Sequence, residues 1–395
     1  MIKILNKSDC CGCSACANIC PKRAIEMMAD EEGFLYPNID LKECVKCGLC
    51  EDACPIKNPK PFKTEVRKTY EIQCKDDDAL KRSASGGFMN LIAQYVLNRG
   101  GCVCGAAYCE NNEVRHVIID SFADVYKLSG SKYVQSQIGD SYKIIERYLK
   151  NGMLVCFSGT PCQVAGLQTY LKKDYQNLIL VEVLCAGVPS PELWKKYLIY
   201  QEDKYNSKID SVNFRNKTYG YQCSTMMLLF ENGDVYSQSG RTDPMMKLFV
   251  SGIAKRPSCY HCQFKGDNRV SDYTIFDGWS AGKLAGIKDN DKGYTAVVVH
   301  TKKAEKVFNS LKEMNCFCVN YEETKIADGI MFDKQPTMHP DRGEFYKYLS
   351  KYGIEKAIEK YMPIKKVDKV KEYMKPVFYK LGIIKVAKRV RQIIE

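Results

Sequence analysis

Eight cysteines near the start of the chain restrict its fold more than any other feature of the sequence. They fall in two runs with the same spacing, C-x2-C-x2-C-x3-C-P, formed by Cys10, Cys13, Cys16, Cys20 and Pro21, and then by Cys44, Cys47, Cys50, Cys54 and Pro55. The runs are offset by 34 residues and separated by the strand-like segment GFLYPNID. This internal repeat predicts two similar halves folded around ligands that the two runs share.

Three closely spaced cysteines closed by Cys-Pro are the spacing of bacterial ferredoxins with two [4Fe–4S] clusters, in which the fourth cysteine ligates the other cluster. The pattern therefore assigns Cys10, Cys13, Cys16 and Cys54 to one cluster, and Cys44, Cys47, Cys50 and Cys20 to the second. Structural zinc also uses C-x2-C pairs, but a zinc ion needs four ligands around one point and does not require a triple run closed by Cys-Pro. We expect an α+β ferredoxin-like domain over residues 1–60 that moves electrons one at a time.

Composition narrows the class of protein further. The chain has 395 residues and 21 cysteines, no secretory-type leader and no apolar run of membrane-spanning length, so we expect a cytoplasmic protein whose cysteines bind metal. The net charge is +12, but residues 351–395 hold thirteen Lys or Arg against five Asp or Glu. Because the rest is close to balanced and carries no nucleic-acid motif, we expect no nucleic-acid partner.

After a Pro- and Lys-rich linker, short apolar strands alternate with amphipathic helices. Strands are predicted for CVCGAAY, VRHVIID, GMLVCF, LILVEVL and YTAVVVH, and helices for FMNLIAQYVLN, SYKIIERYLKN, QVAGLQTYLKK and PELWKKYLIYQ. Such alternation predicts an α/β domain with a mostly parallel sheet over residues 61–345. A basic amphipathic helical tail is expected over residues 346–395.

Two strand-to-helix turns are candidate binding sites, because ligands of such folds bind where parallel strands end. The first contains Ser83, Ser85, Gly86 and Gly87, whose serines can cap a helix while the glycines let backbone N–H groups approach an anion. A plain helix cap is the alternative. The second turn, within CFSGTPCQVAGL, contains Gly159 and Thr160.

Four further cysteines form a candidate for a third metal site. Cys162 and Cys185 each follow a predicted strand, and Cys259 and Cys262 form a C-x2-C pair. Ends of neighbouring parallel strands share one edge of a sheet, so these thiols can converge on a third cluster. Zinc could occupy the same ligands, and the two upstream clusters favour iron. The remaining cysteines, among them Cys316 and Cys318, are expected to be packing residues.

The ordered segments SGTPCQVAGL, LCAGVPSP, VNFRNKTYGY and RPSCYHCQFKGDNRVSDYTIFDGWS resemble the beta-subunit family of coenzyme F420 hydrogenases and dehydrogenases over roughly residues 60–345. The resemblance implies FAD beside an iron–sulfur cluster, with the four cysteines above as ligands. It also implies cofactor-binding roles for residues of four segments, namely Ser83, Ser85, Gly86, Gly87, Lys132, Tyr133, Gln135, Ser136, Gly159, Thr160, Arg215 and Lys217.

Lys132 and Asp277 are the expected catalytic residues, since a lysine near the flavin ring can stabilise its anionic reduced form. Arg215 and Lys217 are expected to contact an anionic substrate or a cofactor phosphate. The alternatives are a solvated loop lysine at 132 and a surface ion pair at 215. Many relatives carry a histidine where this chain has Ala186. If that imidazole takes part in proton or hydride handling, the family's F420 activity does not carry over directly.

The sequence therefore predicts an iron–sulfur flavoprotein oxidoreductase that couples a two-electron carrier, F420-like or nicotinamide, to a redox partner protein or one-electron carrier. The alternative is an electron-transfer subunit that docks on a larger reductase. The segment PVFYKLGIIKVAKRVRQIIE places apolar residues on one stripe among basic ones, which favours docking on an anionic membrane surface, the inner membrane in this case, or on an acidic partner. A helix packed on its own domain is the other interpretation.

Overall fold

The computed structural model describes residues 1–60 and 64–384. In chain order its strands are β1 Ile25–Ala29, β2 Leu35–Ile39, β3 Lys68–Cys74, β4 Cys102–Tyr108, β5 Val114–Ile119, β6 Val155–Gly159, β7 Leu178–Val183, β8 Ile209–Asn216, β9 Thr225–Phe230, β10 Val235–Ser239, β11 Tyr273–Asp277, β12 Thr295–Val299 and β13 Met314–Val319.

The helices of the described residues separate these strands. They are α1 Ala15–Ile19, α2 Leu49–Asp52, α3 Asp77–Arg82, α4 Phe88–Leu97, α5 Val125–Leu128, α6 Ser141–Lys150, α7 Pro161–Leu171, α8 Pro191–Tyr205, α9 Pro244–Ser251, α10 Ala281–Leu284, α11 Lys302–Ser310, α12 Tyr321–Ala327, α13 Arg342–Tyr361 and α14 Lys366–Lys380. Each strand and helix predicted from hydrophobic periodicity forms, with ends shifted by a few residues.

The central sheet has eight strands in the order β13-β3-β12-β11-β7-β6-β4-β5. Its centre is parallel, because β4, β6, β7 and β11 all run in the same direction. The predicted α/β domain with its parallel sheet is confirmed there, and antiparallel pairs extend the sheet on both sides. The carboxyl ends of the four parallel strands meet at one edge, and the candidate site lies at that edge.

Helices cover both faces of this sheet. On one face α4 and α11 pack against the sheet around Phe88 and Phe308, and on the other α6 and α7 pack around Tyr142 and Phe157. Cys102 and Cys104 lie in the second core, as expected of packing thiols. Cys316 and Cys318 are exposed on the edge strand β13, so the packing prediction was wrong for those two residues.

The ferredoxin-like domain consists of α1, the β1–β2 hairpin and α2, and it packs on the α6–α7 side of the sheet. Asn18 Nδ2 donates to the carbonyl of Gly139 at 2.8 Å, and Thr169 Oγ1 donates to the carbonyl of Ala53 at 2.7 Å. A Cβ added at Gly166 would lie 2.9 Å from Cys13 Sγ. Helix α7 therefore approaches the first cysteine run without an intervening side chain.

A three-stranded antiparallel sheet, β10-β9-β8, forms a second layer with α8 and α13. Helix α13 runs through the boundary proposed at residue 345, and it buries Phe345 and Leu349 in this core. Helix α14 contacts the small sheet through Glu372, whose carboxylate accepts from the Ser239 N–H at 3.1 Å. Four basic residues at the end of the tail, Lys385, Lys388, Arg389 and Arg391, lie outside the described residues, and so do Val390 and Ile394. No helix of the described ranges is long and apolar enough to cross a membrane.

Candidate functional site

The cysteines of the second predicted cluster line one small cavity in the ferredoxin-like domain. Cys20, Cys44, Cys47 and Cys50 surround a volume of about 20 Å³. The N–H of Ile2 donates to Cys50 Sγ at 3.2 Å, and such bonds to sulfur help to set the potential of a cluster. The structure thus brings together the fourth cysteine of the first run and three of the second.

The cysteines of the first predicted cluster are also neighbours. Burial and the nearby thiols of Cys10 and Cys54 raise the pKa of Cys16 to about 12. Cys13 is close to Cys10 and Cys16, and backbone N–H groups donate to the thiols of this set. Among the described residues, no three His, Cys, Asp or Glu side chains surround a single-ion position. A four-iron cubane takes one thiolate at each iron and so needs a wider spacing.

A cavity of about 490 Å³ opens at the carboxyl edge of the parallel strands. Its size falls in the range of small-molecule and cofactor sites, and it lies where α/β sheets bind their ligands. The four cysteines of the third predicted set all line it, and they are Cys162, Cys185, Cys259 and Cys262. The predicted convergence of these strand-end thiols on the C-x2-C loop is therefore present in the fold.

Backbone N–H groups donate to the sulfur atoms of three of these cysteines and so favour their thiolate form. The N–H of Gly187 donates to Cys185 Sγ at 3.3 Å, and backbone N–H groups also donate to Cys259 and Cys262. Burial raises the pKa of the Cys259 thiol, and the thiols of the other three cysteines raise it further. Four clustered thiolates with backbone donors fit an iron–sulfur cluster, because the metal replaces the protons that burial would otherwise retain.

The second predicted turn begins α7 with a capping box. Thr160 is the N-cap, Gln163 returns its side chain to the Thr160 N–H at 3.0 Å, and Pro161 occupies the first helical position. Gly159 and Thr160 both line the cavity. The turn therefore aims the positive end of α7 and the thiol of Cys162 into the same space.

The Ser-Gly-Gly turn lines another side of the cavity, at the start of α4. The N-cap of α4 is Gly87, with no side-chain cap, so the serines do not cap this helix. Ser83 Oγ instead donates to the Ala79 carbonyl, and Ser85 Oγ bonds to Thr295 Oγ1 at 2.8 Å. The turn is thereby tied to β12, and Gly86, whose N–H donates to Thr295 Oγ1 and whose carbonyl accepts from the Cys74 N–H, does not line the cavity, unlike Ser83, Ser85 and Gly87.

Gly86 is the tightest point of this turn. A Cβ there would lie 2.1 Å from the Ile72 carbonyl oxygen and 2.5 Å from the Thr295 nitrogen. Because both obstacles are backbone atoms, we expect Gly86→Ala to destabilise the protein by about 3 kcal/mol, the upper end for overpacking. Urea unfolding would measure this. Gly343→Ala is the control, since open space surrounds that position; equal stability of the two variants would contradict the prediction.

The segment from Lys132 to Ser136 forms a third wall of the cavity. Lys132 Nζ donates to the carbonyls of Ser129 and Lys127 at 2.7 and 3.1 Å, and burial lowers its pKa to about 7. Gln135 Nε2 donates to the Cys11 carbonyl at 3.1 Å, and Ser136 Oγ bonds to Gln163 Nε2 at 3.0 Å. Tyr133 stacks on Phe249, with ring centroids 4.5 Å apart.

Arg215, Lys217 and Asp277 lie at the same end of the molecule, but only Asp277 lines the cavity. Arg215 is buried and its Nη1 donates to Asp277 Oδ2 at 2.8 Å. Lys217 Nζ donates to the carbonyls of Ser85, Lys292 and Leu80, which anchors the Ser-Gly-Gly turn from behind. The direct contacts predicted for Arg215 and Lys217 with an anion remain predictions.

Sequence reasoning missed three features of this site. His116 lines the cavity with both ring nitrogens bonded, and burial lowers its pKa to about 4. Trp279 also lines the cavity, stacked on Tyr221 at 4.3 Å. Cys11, one of the cysteines expected only to pack, lines the cavity, and its thiol contacts those of Cys13 and Cys162. The sequence signals for these residues were the double cysteine at 10 and 11 and the motif SDYTIFDGWS, which contains Trp279.

Two family models match separate parts of this chain. Residues 9–58 match the model of the 4Fe-4S dicluster domain, and residues 152–325 match the C terminus of the coenzyme F420 hydrogenase/dehydrogenase beta subunit. The resemblance drawn from the motifs is confirmed by these matches.

Three related proteins illustrate the similarity. The coenzyme F420-dependent sulfite reductase of Methanocaldococcus jannaschii is 22% identical over 89% of this chain and 53% of its own length. The chain thus spans about half of that relative. An uncharacterized ferredoxin of the same organism is 34% identical over 16% of this chain and 90% of its own. A chain of the F420-reducing [NiFe] hydrogenase complex of Methanosarcina barkeri has a TM-score of 0.42 and 17% identity, covering 77% of this chain and 93% of that one.

Proposed function

We propose that this protein is an iron–sulfur flavoprotein oxidoreductase. Its sequence joins a match to the 4Fe-4S dicluster domain to a match to the C terminus of the coenzyme F420 hydrogenase/dehydrogenase beta subunit. It exchanges electrons between a two-electron carrier and a one-electron acceptor. The observation that carries the proposal is one cavity of about 490 Å³ lined both by the glycine turn before α4 and by four cysteines. This shared lining supports a flavin and a cluster bound side by side.

Bound flavin would supply the conversion between two-electron and one-electron transfer, which iron–sulfur clusters alone do not perform. The chain contributes the binding surfaces. The N-termini of α4 and α7 line the cavity, and helix N-termini favour phosphate and other anions. Cys162, Cys185, Cys259 and Cys262 would hold the cluster, and the donors from Gly187 and its neighbours would stabilise their thiolates.

The two-electron carrier is proposed to enter beside Asp277 and Trp279. Trp279 is 38% exposed and lines the cavity, so its indole offers a surface on which a planar ring can stack. Arg215 holds Asp277 in place from behind and also lies over the Trp279 ring, at 4.7 Å from its centroid. A deazaflavin or a nicotinamide fits this description. Ala186 lines the cavity and contributes only a methyl group to its wall.

The test is to purify the chain anaerobically and measure iron and flavin per polypeptide. Three clusters of four irons predict about 12 iron atoms and one flavin per chain. Reduction of the bound flavin by F420H2 or by NADH, followed optically, would then identify the carrier. A flavin-free preparation that stays inactive after FAD is added would contradict the proposal.

Two other outcomes have distinct meanings. About 8 iron atoms and no flavin would mean that only the dicluster domain is loaded, and the oxidoreductase proposal would fail. A fully loaded chain that reduces an artificial dye only when a partner protein is added would favour the electron-transfer subunit instead. The same preparation distinguishes all three cases.

A further inference from the structure

Arg256 lies where the ferredoxin-like domain meets the α/β domain, and its side chain is completely buried. Its guanidinium spans both domains through three hydrogen bonds. Nε donates to the Cys10 carbonyl at 2.8 Å and Nη2 to the Leu35 carbonyl at 2.9 Å, both in the ferredoxin-like domain. Nη1 donates to Gln135 Oε1 at 3.0 Å. The charge is therefore held in one position.

No carboxylate among residues 1–60 and 64–384 forms an ion pair with Arg256. Three other buried arginines do have one: Arg215 pairs with Asp277, Arg269 with Glu182 and Arg342 with Glu32. A buried charge without a counter-ion costs several kcal/mol, so a fixed cation of this kind needs a negative partner. The ionisable groups that face Arg256 closely enough to feel its charge include Cys10, Cys162 and Tyr36.

The chain is shaped to admit this guanidinium beside the first cysteine run. Gly12 has φ +70°, and a Cβ there would lie 2.9 Å from Arg256 Nη1 and 2.5 Å from Gln135 Nε2. The ring of Tyr36 covers the cation, and Arg256 Cζ lies 4.2 Å from the centroid of that ring. The absence of a side chain at position 12 therefore lets the cation approach the loop that connects Cys10 with Cys13.

We propose that Arg256 is the built-in countercharge of the cluster held by Cys10, Cys13, Cys16 and Cys54, and makes that cluster easier to reduce than the second ferredoxin cluster. This inference rests on the proposed function, since it requires the clusters to be bound. Added electrons make a thiolate-ligated cluster more negative, and net charge and hydrogen bonds set its potential. A fixed neighbouring cation stabilises the reduced form.

Arg256 also lies beside the ferredoxin site that adjoins the cavity. The Cys11 thiol touches both Cys13 of the first set and Cys162 of the third set. Arg256 Nε donates to the Cys10 carbonyl at 2.8 Å, and the Arg256 carbonyl accepts from the Cys259 N–H at 2.9 Å, so Arg256 lies next to both sets. The cluster that Arg256 favours is therefore the one next to the cavity, while the cysteines of the second set line a separate small cavity together with Met1 and Lys46.

The experiment is an anaerobic potentiometric titration followed by electron paramagnetic resonance on the full chain. Arg256→Gln should shift the midpoint potential of the first ferredoxin cluster to a more negative value and leave that of the second unchanged. Loss of a signal in Cys10→Ala identifies the first cluster. Arg256→Lys, which keeps the charge and loses the fork of hydrogen bonds, should shift the potential less.

Arg342→Gln is the matched control, because Arg342 also joins the two domains, donating to Glu32 at 2.9 Å and to the Lys255 carbonyl at 3.0 Å. It should leave all potentials unchanged. Equal shifts in Arg256→Gln, Arg256→Lys and Arg342→Gln would show a general loosening of the interface and overturn the proposal. An unshifted potential in a fully iron-loaded Arg256→Gln would also overturn it. Missing clusters in the wild-type chain would instead refute the proposed function.

Discussion

Replacing Cys259 with Ala is expected to lower the iron content of the anaerobically purified chain from about 12 to about 8 atoms, on cubane stoichiometry. Cys259 interacts with each of the other three thiols of its set, so its loss removes a ligand that the remaining ones cannot replace. The signals of the two ferredoxin clusters should persist, because those cysteines lie in a separate domain. Iron analysis and resonance spectra of the reduced protein measure both effects.

Cys104→Ala is the control for this change. Cys104 is fully buried, but it packs in the core on β4 and does not line the cavity. It should keep about 12 iron atoms. A Cys259→Ala protein that also keeps all its iron would contradict the ligand assignment. About 8 iron atoms with one zinc in the wild-type chain would establish the zinc alternative for the third site.

Replacing Arg269 with Met is expected to lower the free energy of unfolding by about 3–5 kcal/mol, the cost of breaking a buried ion pair. Glu182 is fully buried on β7, and Arg269 Nε lies 3.3 Å from its Oε1. Burial raises the pKa of Glu182, while the charge of Arg269 and the hydroxyl of Thr274 lower it. Without Arg269, the carboxylate has only neutral partners. Urea unfolding of variants with matched iron content measures the loss.

The double variant Arg269→Met with Glu182→Gln tests the physical reason for that loss. Removing both charges should recover much of the stability, because replacing a whole buried pair is far less harmful than breaking it. Met keeps a long apolar side chain over the Phe332 ring, where the guanidinium carbon now lies 4.6 Å from the centroid. A double variant no more stable than the single one would mean that packing, not charge, is responsible.

Much of the metal chemistry was predictable because it depends on spacing. The eight ferredoxin cysteines are fixed by local loops, and the structure brings each predicted set together. The third set was found by a topological argument, that neighbouring parallel strands end at one edge, and Cys162 and Cys185 do line one cavity. Local sequence and topology were sufficient in both cases.

Side-chain direction was not predictable, and this limits what sequence alone says about charged residues. The contact of Lys217 with an anion stays a prediction, and the sequence did not indicate that its Nζ donates to three backbone carbonyls. Arg256 gave no signal at all, because its partners are the carbonyls of Cys10 and Leu35, more than 200 residues away in the sequence. The β8–β10 sheet was missed as well, since its strands lack the strand–helix alternation on which the prediction relied.

Helix α7 touches both functional regions of the molecule. Its first turn carries Thr160 and Cys162 at the cavity, while Gly166 and Thr169 abut the ferredoxin-like domain. Eleven residues at 1.5 Å each make a rod of about 16 Å, which does not bend easily over so short a length. The amide protons along it should therefore exchange with solvent as one cooperative unit. A ligand bound in the cavity would therefore slow local opening of the ferredoxin-like domain, which packs against the other end of α7.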